Sequence, residues 1–361
     1  MSVPALDALD TPAALVDLDR VERNLQRVAD YSREHGLRWR PHTKTHKTAE
    51  LCALQVAAGA SGVTVATVLE AEVMASVCDD VLLAYPPVGA RRLARLLALP
   101  ARVRLTVALD SREALEGLAR AATDAGRTVG VLVELDLGMR RVGLRTPDEA
   151  VALARMAASM SGVTFRGVTF YAGHIRVPQA ELDAAMHAQS EALTAFVEAL
   201  RGAGLPPEVV SGGSTPTLWQ SHTVRGLTEI RPGLNVFNDR NSAVIGACDG
   251  TEWAYSVLAT VVSTAVPGQV VIDAGAKALA KEEGLAPGYG VLLDRPEVVV
   301  KSLSEEHGLL DVSATTWRPR IGERVRVVPN HVCVSVPLHS RLHVIRGDAS
   351  LATWEVAARG W

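Results

Sequence analysis

The chain has no apolar run near the roughly 20 residues that a membrane-spanning helix needs, so nothing in it reads as a bilayer anchor. It has no excess of positive charge. Its formal net charge of -3 argues against a nucleic-acid-binding face or a cationic membrane surface. The first twenty residues, "MSVPALDALDTPAALVDLDR", lack the basic start and apolar core of a secretion signal. Cysteine is scarce: Cys52, Cys78, Cys248 and Cys333 are scattered, with no CxxC pair and no spacing that suggests a disulfide framework. The expectation is a cytoplasmic chain with reduced thiols, one of them free to serve as a ligand. Also missing are an internal repeat, a low-complexity linker and a GxGxxG turn after the first strand.

What is present is alternation. From about residue 15 to 240, short β-branched runs alternate with Ala/Leu/Glu/Arg-rich segments of helical spacing. Eight runs read as strands: 37–44, 62–68, 80–86, 103–110, 128–136, 163–173, 207–213 and 227–233. Asp19 and Thr146 are expected helix N-caps, and Gly36 and Gly202 or Gly204 expected terminators. Strand–helix alternation implies a parallel sheet, and eight units in this length fit a closed (β/α)8 TIM-like barrel. The competitor is a doubly wound open sheet, which the missing GxGxxG disfavours. After about residue 245 strand-like runs separated by Pro, Gly, Asn and Asp dominate. The expected division is a barrel over 12–244 and a mostly β domain over 245–361, with residues 1–11 packed on it.

In such a barrel the C-terminal strand ends form the active face. The polar and Gly-rich residues sort to those ends: "HTKTHK", "ELDLGMRRVG", "FYAGH", "SGGSTPT" and "EIRPGLNVFND". "SGGSTPT" can form an anion nest from backbone N–H groups, with Ser214 and Thr215 hydroxyls as added donors; it also reads as an ordinary turn before a helix. "RPG", with Arg231 and Gly233, adds a second turn, and barrels frequently bind phosphate in these two loops. Arg141 reads either as a solvated loop arginine or as a donor to an oxyanion. Tyr171 and His174 read as rim or core residues, or as part of the site. Lys44 falls at a strand end, where an unpaired lysine is uncomfortable. Desolvation makes its amine nucleophilic toward carbonyls. A reactive lysine facing a phosphate nest suits pyridoxal 5'-phosphate. Lys47 reads as a helix-start residue, and His42 and His46 stay unassigned.

The ordered set of the Lys44 segment, "GMRRVG", "YAGH", "SGGSTPT" and "EIRPG", with "DAGAKAL", "EEHG" and "PNHVC" in the β region, spans nearly the whole chain. It resembles the pyridoxal-phosphate enzymes of the alanine-racemase-like barrel fold. It resembles most the branch containing D-serine dehydratase, D-threonine aldolase and the D-3-hydroxyaspartate lyases. That resemblance implies that Lys44 carries the cofactor as a Schiff base and that Arg141 faces its phenolic oxygen. It further implies that Gly213, Ser214, Thr215, Arg231, Gly233, Leu234 and Asn235 lie around the cofactor and its phosphate, and Tyr171 near its ring. It implies a homodimer in which the β domain completes the site. In "PNHVC", His331 and Cys333 are spaced i, i+2 and would share a face on a strand. Imidazole and thiolate suit zinc, although a core Cys beside a loop His reads equally from spacing alone. The resemblance makes them ligands of a divalent metal, zinc before manganese or magnesium, with His331 also catalytic. One departure stands out: "RPGLNVFND" puts Leu234 and Asn235 where the family has a pattern such as "RPGTYVF", so a ring and hydroxyl are missing.

The implied activity is a lyase acting on D-3-hydroxy amino acids. His-x-Cys favours dehydration of D-serine or D-3-hydroxyaspartate to a 2-oxo acid and ammonia. The alternative is a D-threonine aldolase giving glycine and an aldehyde. An amino-acid racemase, which needs a second base and no metal, and a non-catalytic pyridoxal-phosphate carrier, which lacks a β domain, are further readings.

Overall fold

A computed structural model describes residues 6–361; residues 1–5, expected with 6–11 on the β domain, lie outside the described residues. Contacts divide the chain into two units. One comprises the residues up to Gln26, Thr45–Lys47 and Leu234–Arg359; the other comprises Arg27–Lys44, Thr48–Gly233 and Gly360–Trp361. The division thus falls at Gly233/Leu234 and inside the first helix, not at residues 11/12 and 244/245. The reason is visible in β1 (Ala13–Asp17), which pairs with residues 255–258 and 343–345 and not with any barrel strand.

The second unit is built on eight strands: β2 (Arg38–Trp39), β3 (Val63–Val65), β4 (Asp80–Leu83), β5 (Arg104–Leu109), β6 (Val129–Leu135), β7 (Val163–Phe170), β8 (Val209–Gly212) and β9 (Glu229–Ile230). Every ladder between them is parallel, in the order β2-β9-β8-β7-β6-β5-β4-β3. The two end strands meet through a parallel bridge between His42 and Thr64, with Thr64 N–H donating to the Pro41 carbonyl at 2.8 Å, which closes the ring. The strands are rich in Val and Leu because they are covered on both faces; all seven residues of β6 are buried. The barrel floor is charged. Arg40, 4% exposed, donates to Glu229 at 2.9 Å and to Asp80 at 2.8 Å. Burial alone would strip its charge, but the Glu229 and Asp80 carboxylates more than offset that and push the guanidinium pKa up.

Local signals set the helices. Thr146 and Glu149 form a reciprocal capping box at the start of helix Pro147–Ser159. The helix Leu18–Glu34 starts two residues earlier than expected, so the Asp17 carboxylate, not Asp19, accepts the Arg20 N–H at 3.0 Å.

In the other unit β1 joins β10 (Tyr255–Ser263), β11 (Gln269–Ile272), β12 (Gly290–Leu292), β13 (Arg295–Leu303), β14 (Gly308–Asp311), β15 (Arg324–Pro329), β16 (Arg341–Arg346) and β17 (Ala349–Glu355). They form one nine-stranded sheet, antiparallel except where β1 runs beside β16. A further pairing of β10 with β11 closes the ring β10-β11-β14-β13-β12-β15. Leu9, Ala13, Leu15, Leu258 and Ile345 form one apolar cluster under β1, with Leu6 against it. Trp253, Val291 and Val328 form another.

Candidate functional site

Strand β2 ends early, and the chain turns through the 3-10 turn Thr43–Thr45, so Lys44 stands on a turn beyond the strand rather than within it. Thr43 anchors that turn, its hydroxyl donating to the Thr64 carbonyl at 3.1 Å. The Lys44 backbone N–H donates to His42 Nδ1 at 3.4 Å. The Lys44 ammonium lies 5.3 Å from the centroid of the Tyr171 ring, and the Arg141 guanidinium carbon 5.1 Å from the same centroid. Loops after β2 and β6 therefore bring two cations near the ring of Tyr171, which follows β7, an arrangement attractive to both.

Arg231 follows β9 and is 6% exposed. One of its terminal nitrogens donates to the Phe170 carbonyl at 2.7 Å, while its Nε has no partner. Burial lowers its pKa, and the Glu134 and Glu229 carboxylates oppose that. After β8, Gly213 takes φ +85°, a left-handed conformation that glycine tolerates. Ser214 and Thr215 follow, both buried, with Ser214 N–H donating to the Thr217 hydroxyl at 3.1 Å. Gly233 is required by close approach: a Cβ there would sit 2.3 Å from the His42 carbonyl oxygen. The set fits an anionic cofactor with an aldehyde. It provides an amine on a turn, cations beside a ring, a buried guanidinium N–H without a partner, and a glycine–hydroxyl loop.

Other expected residues fall elsewhere. His174 is exposed and its ring lies against Gly138. His46 is fully buried. Lys47, at φ +57°, donates its ammonium to the Ala358 carbonyl at 3.4 Å. Leu234 and Asn235 fall in the β-rich unit, where Asn235 is 4% exposed and neither atom of its amide has a partner.

His331 and Cys333 are not on a strand, as their spacing suggested. β15 ends at Pro329, and His331 is the cap of the short helix Val332–Ser335, with Cys333 in its first turn. The two side chains nevertheless meet by hydrogen bonding. The Cys333 thiol also lies 3.3 Å from the Thr45 hydroxyl. Burial disfavours a charged His331, but Cys333 and Asp239 outweigh it and hold its pKa up to about 11. Asp239, missed in the sequence, orients the ring: its Oδ2 lies 2.9 Å from His331 Nδ1. It is itself fully buried and fixed, its Oδ1 accepting from Ser242 N–H at 2.9 Å and the Ser242 hydroxyl at 2.8 Å. A carboxylate on one imidazole nitrogen leaves the other for a metal. Among the described residues no three His, Cys, Asp or Glu side chains form a set able to hold a metal ion; the pair offers two donors and leaves the remaining positions to water or substrate.

Glu134, next to last in β6, was also passed over; it read simply as a strand residue in "VLVELD". It is 8% exposed. Burial pushes its pKa up to about 7, against the pull of Arg231 and Arg141 and with Asp110 adding to the rise.

The family model described as "Alanine racemase, N-terminal domain" matches residues 16–241. A second, described as "Putative serine dehydratase domain", matches residues 254–345. The D-threo-3-hydroxyaspartate dehydratase of Delftia sp. (strain HT23) is 36% identical, covering 98% of this chain and 98% of that one. The 3-hydroxy-D-aspartate aldolase of Paracoccus denitrificans (strain Pd 1222) is 34% identical, covering 99% and 95%. Among solved structures, the D-threonine aldolase from Filomicrobium marinum superposes with a TM-score of 0.93 at 34% identity, over 100% of this chain and 99% of that one.

Proposed function

Because the chain belongs to the family that joins an alanine racemase N-terminal domain to a serine dehydratase domain, we propose that it dehydrates a D-3-hydroxy amino acid, D-serine or D-3-hydroxyaspartate, to a 2-oxo acid and ammonia. The chain is a pyridoxal-phosphate-dependent lyase of D-3-hydroxy amino acids. The finer choice rests on one observation: the imidazole–thiol pair of His331 and Cys333, held by Asp239.

Pyridoxal phosphate supplies an electron sink for charge developing at the substrate's α-carbon. Lys44 would hold the cofactor, and its amine is the base placed to take the substrate's α-proton. Arg141, held near the Tyr171 ring, would donate to the cofactor's oxyanion, and the Gly213–Thr215 loop with Gly233 would hold its phosphate. A divalent metal, zinc by the preference of an imidazole–thiolate pair, supplies Lewis acidity to the departing 3-oxygen. His331 and Cys333 hold it, and Asp239 fixes the tautomer of His331 that leaves Nε2 available. The proposal extends to a homodimer and to the cytoplasm. In support of the latter, no helix among the described residues is long and apolar enough to cross a membrane, and none of the four cysteines is in a disulfide.

Aldol cleavage uses the same residues, with the proton leaving the 3-hydroxyl and the Cα–Cβ bond breaking. Product identity decides. D-serine and D-3-hydroxyaspartate should yield 2-oxo acid and ammonia. Glycine as the main product from D-threonine or D-3-hydroxyaspartate would sink the dehydratase assignment and leave the aldolase.

A further inference from the structure

Strand register places Glu134 in a row of side chains. It is level with Thr169 of β7; Thr169 is level with Ser211 of β8, and Ser211 with Glu229 of β9. Residues level on neighbouring parallel strands face the same side. For this row that side is the barrel interior, because the Ser211 hydroxyl donates to Glu229 at 2.7 Å and Glu229 accepts from the buried Arg40. Arg231 follows two residues after Glu229 on the same face.

Two buried polar groups near this level are unsatisfied. Arg231 Nε and the Thr169 hydroxyl have no hydrogen-bond partner. The Glu134 carboxylate accepts no hydrogen bond and forms no ion pair among the described residues, although the charges of Arg231 and Arg141 act on it. Buried groups of this kind are ordinarily paired, and leaving one unpaired costs stability. A carboxylate and two guanidiniums close enough to attract, but not closed into salt bridges, keep their donors open to a third party.

We propose that Glu134 is a positioning residue: its carboxylate holds the Arg141 and Arg231 guanidiniums around Tyr171 so that their free N–H groups meet the anionic cofactor. This rests on the reading of Lys44 and Arg141 as cofactor residues. Without a counter-charge the two guanidiniums repel one another, and Arg141, which is exposed, swings toward solvent. Glu134 supplies that counter-charge from the strand end and covers none of their donors.

The proposal and its simplest rival differ in sign. If Glu134 were only a stray buried anion, removing its charge would strengthen binding of a phosphate-bearing ligand. If it positions the arginines, removal weakens binding. The test is Glu134→Gln in the full chain, with pyridoxal phosphate titrated by its visible absorbance. Affinity should fall by about tenfold, the scale of a lost orienting partner, and Glu134→Asp should recover part of it. Unchanged or tighter binding overturns the proposal. Thermal unfolding of the cofactor-stripped protein is the second readout. Above the pKa of Glu134, Glu134→Gln should unfold no earlier than wild type, because an unpaired buried charge has been removed. A clear drop in unfolding temperature marks Glu134 as a structural residue and overturns the proposal too. Lys44→Ala separates the two levels. If it keeps the wild-type absorbance band, the cofactor reading itself fails; if it loses the band while Glu134→Gln binds as wild type does, only this inference fails.

Discussion

Lys44 Nζ stands 5.3 Å from the centroid of the Tyr171 ring, with Arg141 5.1 Å from the same centroid. The ring therefore lies within cation–π range of two cations from different loops, each at a defined spacing from its centroid. That spacing separates the two candidate lysines: Lys47 turns the other way and donates to the Ala358 carbonyl. Lys44→Ala should abolish the visible band of lysine-bound pyridoxal phosphate, and Lys47→Ala should keep it. Spectra before and after adding D-serine check both. Loss of the band in Lys47→Ala alone would reverse the assignment.

Tyr171 acts here through its ring. Tyr171→Phe should bind the cofactor nearly as wild type does, whereas Tyr171→Ala should lose about 1 kcal/mol of cation–π attraction, roughly fivefold in affinity. If Phe and Ala are equally damaging, the phenol hydroxyl rather than the ring is what the site uses.

At the metal pair the support is as informative as the ligands. His331→Ala and Cys333→Ala should each lose bound zinc by elemental analysis. Asp239→Asn keeps both ligands but no longer stabilises the right tautomer, and should lower metal affinity by about 10–100-fold, measured by chelator competition. Wild-type affinity in Asp239→Asn would reduce the carboxylate to its other role, capping Ser242.

All eight barrel strands were legible because most are short apolar runs, rich in Val and Leu and largely buried, set between helix-like segments. Their ends were not. "LRWRPHTK" reads as a strand through Lys44, yet regular strand ends at Trp39, only single backbone bonds continue through Arg40, Pro41 and His42, and Lys44 stands on a 3-10 turn. His331 and Cys333 were found as a pair for the wrong geometric reason, since a helix cap and its first turn bring them together rather than strand alternation. Asp239 could not be found from spacing: it lies 92 residues before the imidazole it orients. Glu134 was hidden by its surroundings, because one acid in an apolar run looks like a strand boundary until its neighbours across the barrel are known.

The barrel floor gives a stability prediction. Arg40 is the shared cation of Glu229 and Asp80, both nearly inaccessible. Arg40→Met has similar length but leaves two buried carboxylates without it, and should cost about 3–5 kcal/mol in urea unfolding. Arg104, also paired with Asp80, limits the loss on that side. A cost below about 1 kcal/mol would mean that water already solvates the cluster.

Glu134 predicts how stability depends on pH in the cofactor-free protein. Its ordinary pKa of 4.5 rises to about 7 in the fold: burial is the main cause, Asp110 adds to it, and Arg231 and Arg141 oppose it. Between those two values the folded chain binds more proton at this residue than the unfolded chain, so stability falls as pH rises. The contribution is fully present below about pH 4.5 and is lost as pH passes about 7, amounting to about 3 kcal/mol if no other group compensates. Glu134→Gln carries no such proton. Its stability, subtracted from that of wild type across this window, should therefore isolate a downward slope in the wild type alone. A parallel pair of curves would mean that Glu134 is solvated or already paired in solution. The same difference measured with pyridoxal phosphate bound should shrink, because Arg141 and Arg231, held by the ligand, then favour the charged carboxylate.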